Sequence, residues 1–154
     1  MPALADLLAQ ELDLVRAFIA ELNSEQDALK SGDTDSLAPI TQRKSQLVEQ
    51  LNAAENDRNL FLQRAGHTGD RSGMQAWLAK NPGDRAAATQ WAELMKLASM
   101  ARQINDFNGR LIAMRLQATS QALAILTQQS QRPTLYGANG LTAAGTGSRL
   151  IDAA

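Results

Sequence analysis

The side chains that could do chemistry are few, and their spacing does not bring them together. His67 is the only histidine, and the chain contains no cysteine. It lies between Gly66 and Gly69 in a segment predicted to be a loop, where an exposed histidine is the ordinary outcome. A zinc or di-iron site needs several converging ligands, such as a Glu-x-x-His pair on one helix face, and no such pair occurs. Acidic pairs such as Glu21 and Glu25 are typical of a solvated helix face, so we expect no metal site.

The glycines between Gly137 and Gly147 are the remaining candidates for ligand chemistry. Phosphate-binding loops need a strand before the glycines and a helix after them, and neither is expected here. No nucleophile motif of the Gly-x-Ser-x-Gly type is present. The sequence therefore predicts that the protein is not an enzyme and needs no cofactor.

Composition restricts the protein class further. The 154 residues suit one domain, or one domain plus a tail, and the core must be aliphatic because aromatic residues make up only 4%. A net charge of −1 argues against a nucleic-acid partner. No apolar run approaches the roughly 20 residues that cross a bilayer, so no membrane insertion is expected. The first basic residue is Arg16, which is unlike a secretion signal and predicts a cytoplasmic protein.

One long stretch, from about Asp84 to Gln131, organises the chain. Apolar or small residues recur in it at steps of three and four, which places them on one stripe of a helix. Such a helix would be roughly 70 Å long, and its stripe must lie against other helices. The stripe consists of Ala87, Leu94, Leu97, Ala101, Ile104, Leu111, Ala118, Ala122 and Ile125.

The second half of this helix carries more apolar surface than one stripe needs. Ile112, Met114, Leu116 and Leu123 lie off the stripe, and Arg115 interrupts it. A contiguous exposed apolar patch usually marks an interface, so this excess predicts a partner-binding surface. The same residues could instead form core against the preceding helices.

Two further long helices precede this one. The first is predicted over residues 3–30 and the second over residues 37–64, joined by a short polar connection that makes them antiparallel. Gly32 is expected to end the first helix, and Asp35 or Ser36 to cap the second. Lys44 and Arg58 lie on the apolar stripe of the second helix, where they extend past its edge or pair with acids of the first.

The expected fold is all-α: an elongated antiparallel bundle of three long helices. A short helix over residues 72–80 lies in the second connection, and Asp84 is expected to cap the long helix. The first helix, to residue 31, has six acids against two bases, and residues 85–132 have six bases against two acids, which favours antiparallel pairing of the first and the long helix. We expect residues 1–131 to form the bundle domain. Residues 132–154 are expected to be a flexible C-terminal tail, partly disordered or docked on the bundle or on a neighbouring chain.

Several short motifs, taken in order, resemble the FlgN type of bacterial flagellar export chaperones. The first long helix ends in an Ala-Leu-x-x-Gly-Asp turn, and a Lys with a following Leu pattern marks the second. An Asn-x-x-Asn-Gly motif lies in the last long helix, ahead of a Tyr-Gly-x-x-Gly tail. The matching segments are Ala28–Asp33, Lys44–Leu51, Trp91, Asn105–Gly109, Leu111–Ile112 and Leu135–Gly140.

The resemblance implies a cytoplasmic helical chaperone without a cofactor. Such chaperones bind the C-terminal helices of hook-associated proteins, which form the hook–filament junction, keep them unassembled and deliver them to the flagellar type III export apparatus. A monomer or weak homodimer is expected. The partner-binding residues are then predicted to be Asn105, Asn108, Gly109, Ile112, Leu116, Leu123, Tyr136 and Gly137.

Other roles for these residues stay open at this point. Asn105 and Asn108 could satisfy buried polar groups between helices, and Gly109 could permit a close helix approach or a bend. Tyr136 could be a chance aromatic residue in the tail. The alternative to a chaperone is a non-catalytic helical adaptor or a coiled-coil scaffold protein, which would form a fixed assembly.

Overall fold

A computed structural model of the chain describes residues 2–131, and these residues form four helices and no strand. The helices are α1 (Leu4–Ser31), α2 (Leu37–Arg64), α3 (Arg71–Lys80) and α4 (Arg85–Gln131). The predicted all-helical class, with three long helices and a short one in the second connection, is confirmed for this range. The predicted tail, residues 132–154, lies outside the described residues.

The expected signals end α1 and begin α4. Gly32 has a φ of 76°, in the left-handed region that glycine tolerates, and its N–H donates to the carbonyl of Ala28. The Asp84 carboxylate accepts a hydrogen bond of 3.0 Å from the N–H of Ala87 in the first turn of α4. Both boundaries therefore follow from single residues read in the sequence.

The start of α2 differs from the prediction, and the start of α3 has a cap of its own. Neither Asp35 nor Ser36 caps α2; Ser36 is the flanking residue, but its hydroxyl donates to Asp33 at 2.6 Å instead. The hydroxyl of Ser36 is therefore directed to Asp33 and not to the first N–H groups of α2. At α3 the side chain of Asp70 accepts from the N–H of Gly73 at 2.8 Å, a typical N-cap.

The chain divides into two units, with the boundary between residues 108 and 109. The first unit has an aliphatic core with one large aromatic residue, to which all four helices contribute because each has an apolar stripe. The buried core residues are Leu4, Leu8, Leu12, Val15, Leu62, Met74, Ala87, Trp91 and Leu94.

Within the first unit, α2 runs antiparallel to α1. Glu11 near the start of α1 pairs with Arg58 near the end of α2, and Glu25 near the end of α1 pairs with Lys44 near the start of α2, at 3.0 Å. The sequence left two roles for these two cations, and pairing with acids of the first helix is confirmed. Arg58 also lies 5.1 Å from the ring centre of Trp91 on α4.

The first-unit part of α4 runs parallel to α1. Near the end of α1, the carbonyl of Leu22 and the carboxylate of Glu25 accept hydrogen bonds from Asn108. Near its start, α1 shares the core with Trp91. The antiparallel pairing expected from helix charges was therefore wrong. Two reversals of chain direction, at residues 32–36 and 65–84, make these helices parallel, and exposed charge pairs worth only ~0–1 kcal/mol each do not override them.

Candidate partner-binding surface

Asn108 lies inside the first unit. Its side chain is 1% exposed. Its Nδ2 donates to the carbonyl of Leu22 at 2.8 Å and to Oε1 of Glu25 at 2.9 Å, and its Oδ1 lies 3.5 Å from Nε2 of Gln26. Asn108 thus satisfies buried polar groups between α1 and α4, which is one of the two roles that the sequence left open.

Asn105 lies one turn earlier and is exposed. Its Oδ1 is 3.5 Å from Nζ of Lys44, which also contacts both carboxylate oxygens of Glu25 at 3.0 Å. The two asparagines of the Asn-x-x-Asn-Gly motif therefore meet opposite environments. Asn105 presents a polar side chain to solvent, whereas Asn108 has no side-chain surface to offer a partner.

In the second unit, predicted site residues lie on one face of α4. Gly109, Ile112 and Leu116 line a common surface depression together with Ala113, Gln117, Ser120 and Gln121. Leu123 continues this face, since it lies seven residues after Leu116 and so two helical turns further on. We call the set Gly109, Ile112, Ala113, Leu116, Ser120 and Leu123 the apolar face.

The apolar face is accessible along its length. Ile112 is 37% exposed and Leu123 is 53% exposed, while Leu116 is half-buried. By contrast, Leu94 of the same helix is 2% exposed in the first unit. α4 thus buries Ala87, Trp91, Leu94 and Ala101 before Gly109, whereas none of its described apolar residues after Gly109 is buried.

The second half of the predicted packing stripe is also exposed. Ala118 and Ala122 are exposed, and Ile125 has 56% of its surface accessible. Met114 is 65% exposed on the same side of the helix. The expectation that the whole stripe lies against other helices is therefore wrong beyond Gly109. The sequence pattern is continuous there, and periodicity alone cannot show where the partner helices stop.

Two arginines lie near the apolar face in the sequence. Between Gly109 and Gln131 the charged residues are Arg110 and Arg115, and both are exposed. Tyr136 and Gly137, the other two predicted site residues, lie outside the described residues, so their role stays a prediction.

Three charged residues of the first unit are buried, namely Glu11, Arg58 and Glu25, and the expectation of a solvated face at Glu25 was wrong. Glu11 is 6% exposed and Arg58 is 8% exposed, and they are bonded to each other. The pKa of Glu11 is raised because burial penalises the carboxylate, which Arg58 opposes only in part, and nearby Glu55 adds to the rise. Oε1 of Glu11 has no hydrogen-bond partner within the described chain, which agrees with incomplete compensation.

Neither a metal centre nor a bilayer-spanning helix is found in the part of the chain that the structure describes. Over residues 2–131, no three His, Asp or Glu side chains group closely enough to hold a metal ion. No helix in that range combines the length and the apolar character needed to cross a bilayer. The distinctive surface feature of the described chain is the exposed apolar face of α4.

The described chain is an all-helical protein whose last helix exposes an apolar face. Comparison with known protein families is more specific, because the family model described as "FlgN protein" matches residues 1–144 of this chain. The chain therefore belongs to the FlgN family.

The relatives agree with this assignment. The "Flagella synthesis protein FlgN" of Salmonella typhimurium (strain LT2) is 27% identical over 144 residues, covering 92% of this chain and 91% of that protein. The Escherichia coli (strain K12) protein of the same name is 28% identical over 144 residues, with the same coverage. That of Yersinia enterocolitica is 28% identical over 136 residues, covering 86% of this chain and 84% of its own length. No solved structure matches the chain.

Proposed function

We propose that this protein is a cytoplasmic flagellar export chaperone. It binds the C-terminal helical region of hook-associated proteins, one chaperone to one client, prevents their premature assembly and delivers them to the export apparatus. It acts by stoichiometric capping, without catalysis, nucleotide or metal. The observation that carries the proposal is the exposed apolar face of α4 in a chain of the FlgN family.

The apolar face suits a helical client. Ile112, Leu116 and Leu123 recur at steps of four and seven, the spacing with which one amphipathic helix contacts another. Gly109, Ala113 and Ser120 have small side chains along the same face, so a second helix backbone can approach closely there. A client helix laid on this face would shield apolar side chains of both partners from water.

The expected affinity is moderate. Full burial of one large aliphatic side chain contributes about 1.5–3 kcal/mol, and the anchors on this face begin partly shielded. Ordering a client segment that is unfolded when alone costs several kcal/mol. The balance of these terms favours a binding strength well below that of the tightest protein complexes. That strength protects the client during transport and still permits its release at the export apparatus.

Calorimetry with synthetic C-terminal segments of hook-associated proteins from the same bacterium tests the proposal. We expect one-to-one binding in a buffer without nucleotide or metal. Dissociation constants weaker than ~100 µM for all segments, which is roughly −5.5 kcal/mol, would contradict the proposed function.

Charged substitutions locate the site. Leu123→Asp should abolish client binding and leave the melting temperature nearly unchanged, because Leu123 is 53% exposed. Val48→Asp on α2 is the matched control, since Val48 is 43% exposed and lies in the first unit. Equal loss of binding in both variants would show that the apolar face is not the client site.

The spacing of the apolar face also favours a second candidate, a coiled-coil adaptor or scaffold. Gly109, Ile112, Leu116, Leu123 and Leu126 occupy the a and d positions of a heptad repeat. A scaffold of this kind would form a fixed assembly through α4. Sedimentation analysis decides between the two, because the chaperone is expected to be a monomer or a weak dimer.

A further inference from the structure

The apolar face has nearly the same spacing in both directions along α4. Measured from Leu116, its other members lie three, four and seven residues before it and four and seven residues after it. Large and small side chains exchange places about this centre, since Gly109 corresponds to Leu123 and Ile112 corresponds to Ser120. A surface with this symmetry can pair with a second copy of itself turned end to end, because each large side chain then meets a small one.

Antiparallel pairing about Leu116 fits both the shapes and the charge of this face. Gly109 of one copy would lie opposite Leu123 of the other at both ends of the contact, and the exposed Arg110 would lie opposite Ala122. A parallel pair in register would instead crowd the two copies of Leu123 and leave a gap between the two copies of Gly109. It would also bring the two copies of Arg110 side by side, which is unfavourable for like charges. The face therefore favours antiparallel pairing.

The size of the contact predicts that such pairing is weak. The helix from Gly109 to Leu123 is about 21 Å long and roughly 10 Å wide, so the face offers on the order of 200 Å² per copy. Stable and specific protein interfaces bury about 800 Å² per partner. Pairing through the apolar face alone is therefore expected to depend on concentration and to be reversible.

We propose that, without a client, two copies of this chain pair antiparallel through their apolar faces. The second copy shields Ile112 and Leu123, which are exposed in the single chain, and so limits non-specific association of the free chaperone. This inference rests on the proposed function, because it makes the dimer the client-free form of the same site. A client helix and a second copy compete for one face, so client binding separates the pair.

Exchanging large and small residues tests the pairing. Gly109→Leu forces Leu against Leu at both ends of its homodimer and should weaken self-association at least about tenfold. Leu123→Ala leaves both ends of its homodimer loosely packed and should weaken it as well. A mixture of the two variants places a large residue opposite a small one at each end, so it should contain more dimer than either variant alone. Sedimentation velocity between about 5 µM and about 500 µM total chain measures these fractions.

Disulfide formation reports the direction of the paired helices. The chain has no cysteine, so Gly109→Cys and Leu123→Cys each introduce a single thiol. In the antiparallel pair, position 109 lies opposite position 123, whereas the two copies of position 109 are about 21 Å apart, beyond the ~7 Å between Cα atoms that a disulfide spans. Under oxidation by air we expect covalent dimers in the mixture of the two variants and few in either variant alone. Efficient dimers of Gly109→Cys with itself would indicate parallel pairing and overturn the proposal.

Ala92→Leu is the matched control, because it adds similar bulk at an exposed position of α4 in the first unit. It should leave self-association unchanged. Equal weakening by Ala92→Leu and Gly109→Leu, or no recovery of dimer in the mixture of Gly109→Leu and Leu123→Ala, would overturn the inference. So would a dimer that an excess of client segment leaves intact, since a fixed assembly of that kind would be a scaffold.

The two proposals fail in different ways. If the client segments bind but the chain stays monomeric up to about 500 µM, the proposed function stands and the pairing inference fails. If the exchange and disulfide experiments give the expected results but no hook-associated segment binds, the pairing of the apolar faces stands and the proposed client is wrong.

Discussion

Asn108 of α4 donates a hydrogen bond of 2.9 Å to the buried carboxylate of Glu25 on α1. Lys44 of α2 contacts the same carboxylate at 3.0 Å, so three long helices meet at one polar layer. A buried polar group is satisfied in only one helix register, and shifting α4 by a turn would leave Glu25 and the Leu22 carbonyl without this partner. The layer therefore sets how α4 aligns with α1 at the last residue of the first unit.

Replacing Asn108 should destabilise the first unit. Asn108→Ala leaves the Leu22 carbonyl and one oxygen of Glu25 short of a donor, which should cost about 1–3 kcal/mol of unfolding free energy. Asn105→Ala is the matched control, since its side chain is exposed, and should change stability by less than about 0.5 kcal/mol. Urea denaturation followed by circular dichroism measures both. Equal effects would mean that the polar layer does not hold the helices.

Replacing Arg58 alone should be more damaging than replacing its whole ion pair. Arg58→Leu leaves the Glu11 carboxylate buried without a counter-charge, at a cost of about 3–5 kcal/mol. The double variant Glu11→Leu/Arg58→Leu removes both charges and should recover most of that loss. Thermal or urea unfolding of the three proteins provides the comparison. A double variant no more stable than Arg58→Leu would show that packing on Trp91, not charge, dominates.

The raised pKa of Glu11 predicts a specific pH dependence. Burial raises this pKa above the ordinary value of 4.5, so above pH 4.5 the folded protein retains a proton that the unfolded chain has released. The resulting stabilisation is present at low pH and is lost as the pH rises through the folded-state pKa. Glu11→Gln lacks this titration. The stability of the parent protein relative to Glu11→Gln should therefore fall as the pH rises above about 4.5, the ordinary pKa of the carboxyl. A difference that is constant or rises would contradict the raised pKa.

Much of the fold could be predicted because apolar periodicity and end signals act locally. Gly32 and Asp84 fix helix ends within one turn, and Lys44 and Arg58 were visible as charges on the apolar stripe of the second helix. The sequence offered pairing with an acid of the first helix as one of two roles for Arg58, and gave no sign that Arg58 also lies over Trp91. That contact depends on three helices at once, and no periodicity within one helix specifies it.

The candidate site was less predictable for the same reason. Asn105 and Asn108 belong to one motif, yet one is exposed and the other is 1% exposed. Three residues along a helix rotate a side chain by about 300°, so its environment depends on where the neighbouring helix lies.

The need for glycine at position 73, in the first turn of α3, was not visible in the sequence either. A Cβ there would lie 1.7 Å from the carbonyl oxygen of Thr68, a clash that only the folded loop creates.

Substitutions at Gly109 separate an effect on folding stability from an effect on client binding. A Cβ built on Gly109 meets nothing within 4 Å, so the fold does not require glycine at this position. Glycine inside a helix is less favourable than alanine by roughly 0.5–1 kcal/mol, and Gly109→Ala should raise the unfolding free energy of α4 by about that amount. If the glycine also lets a client backbone approach, the same substitution should weaken client binding, and Gly109→Leu should weaken it more.

The control is Ala92→Leu, at an exposed position of α4 in the first unit, which adds comparable bulk and should leave binding unchanged. Stability comes from thermal unfolding and affinity from calorimetry with the hook-associated segments. Client binding that survives Gly109→Leu would place the close contact further along the apolar face, towards Leu116 and Leu123.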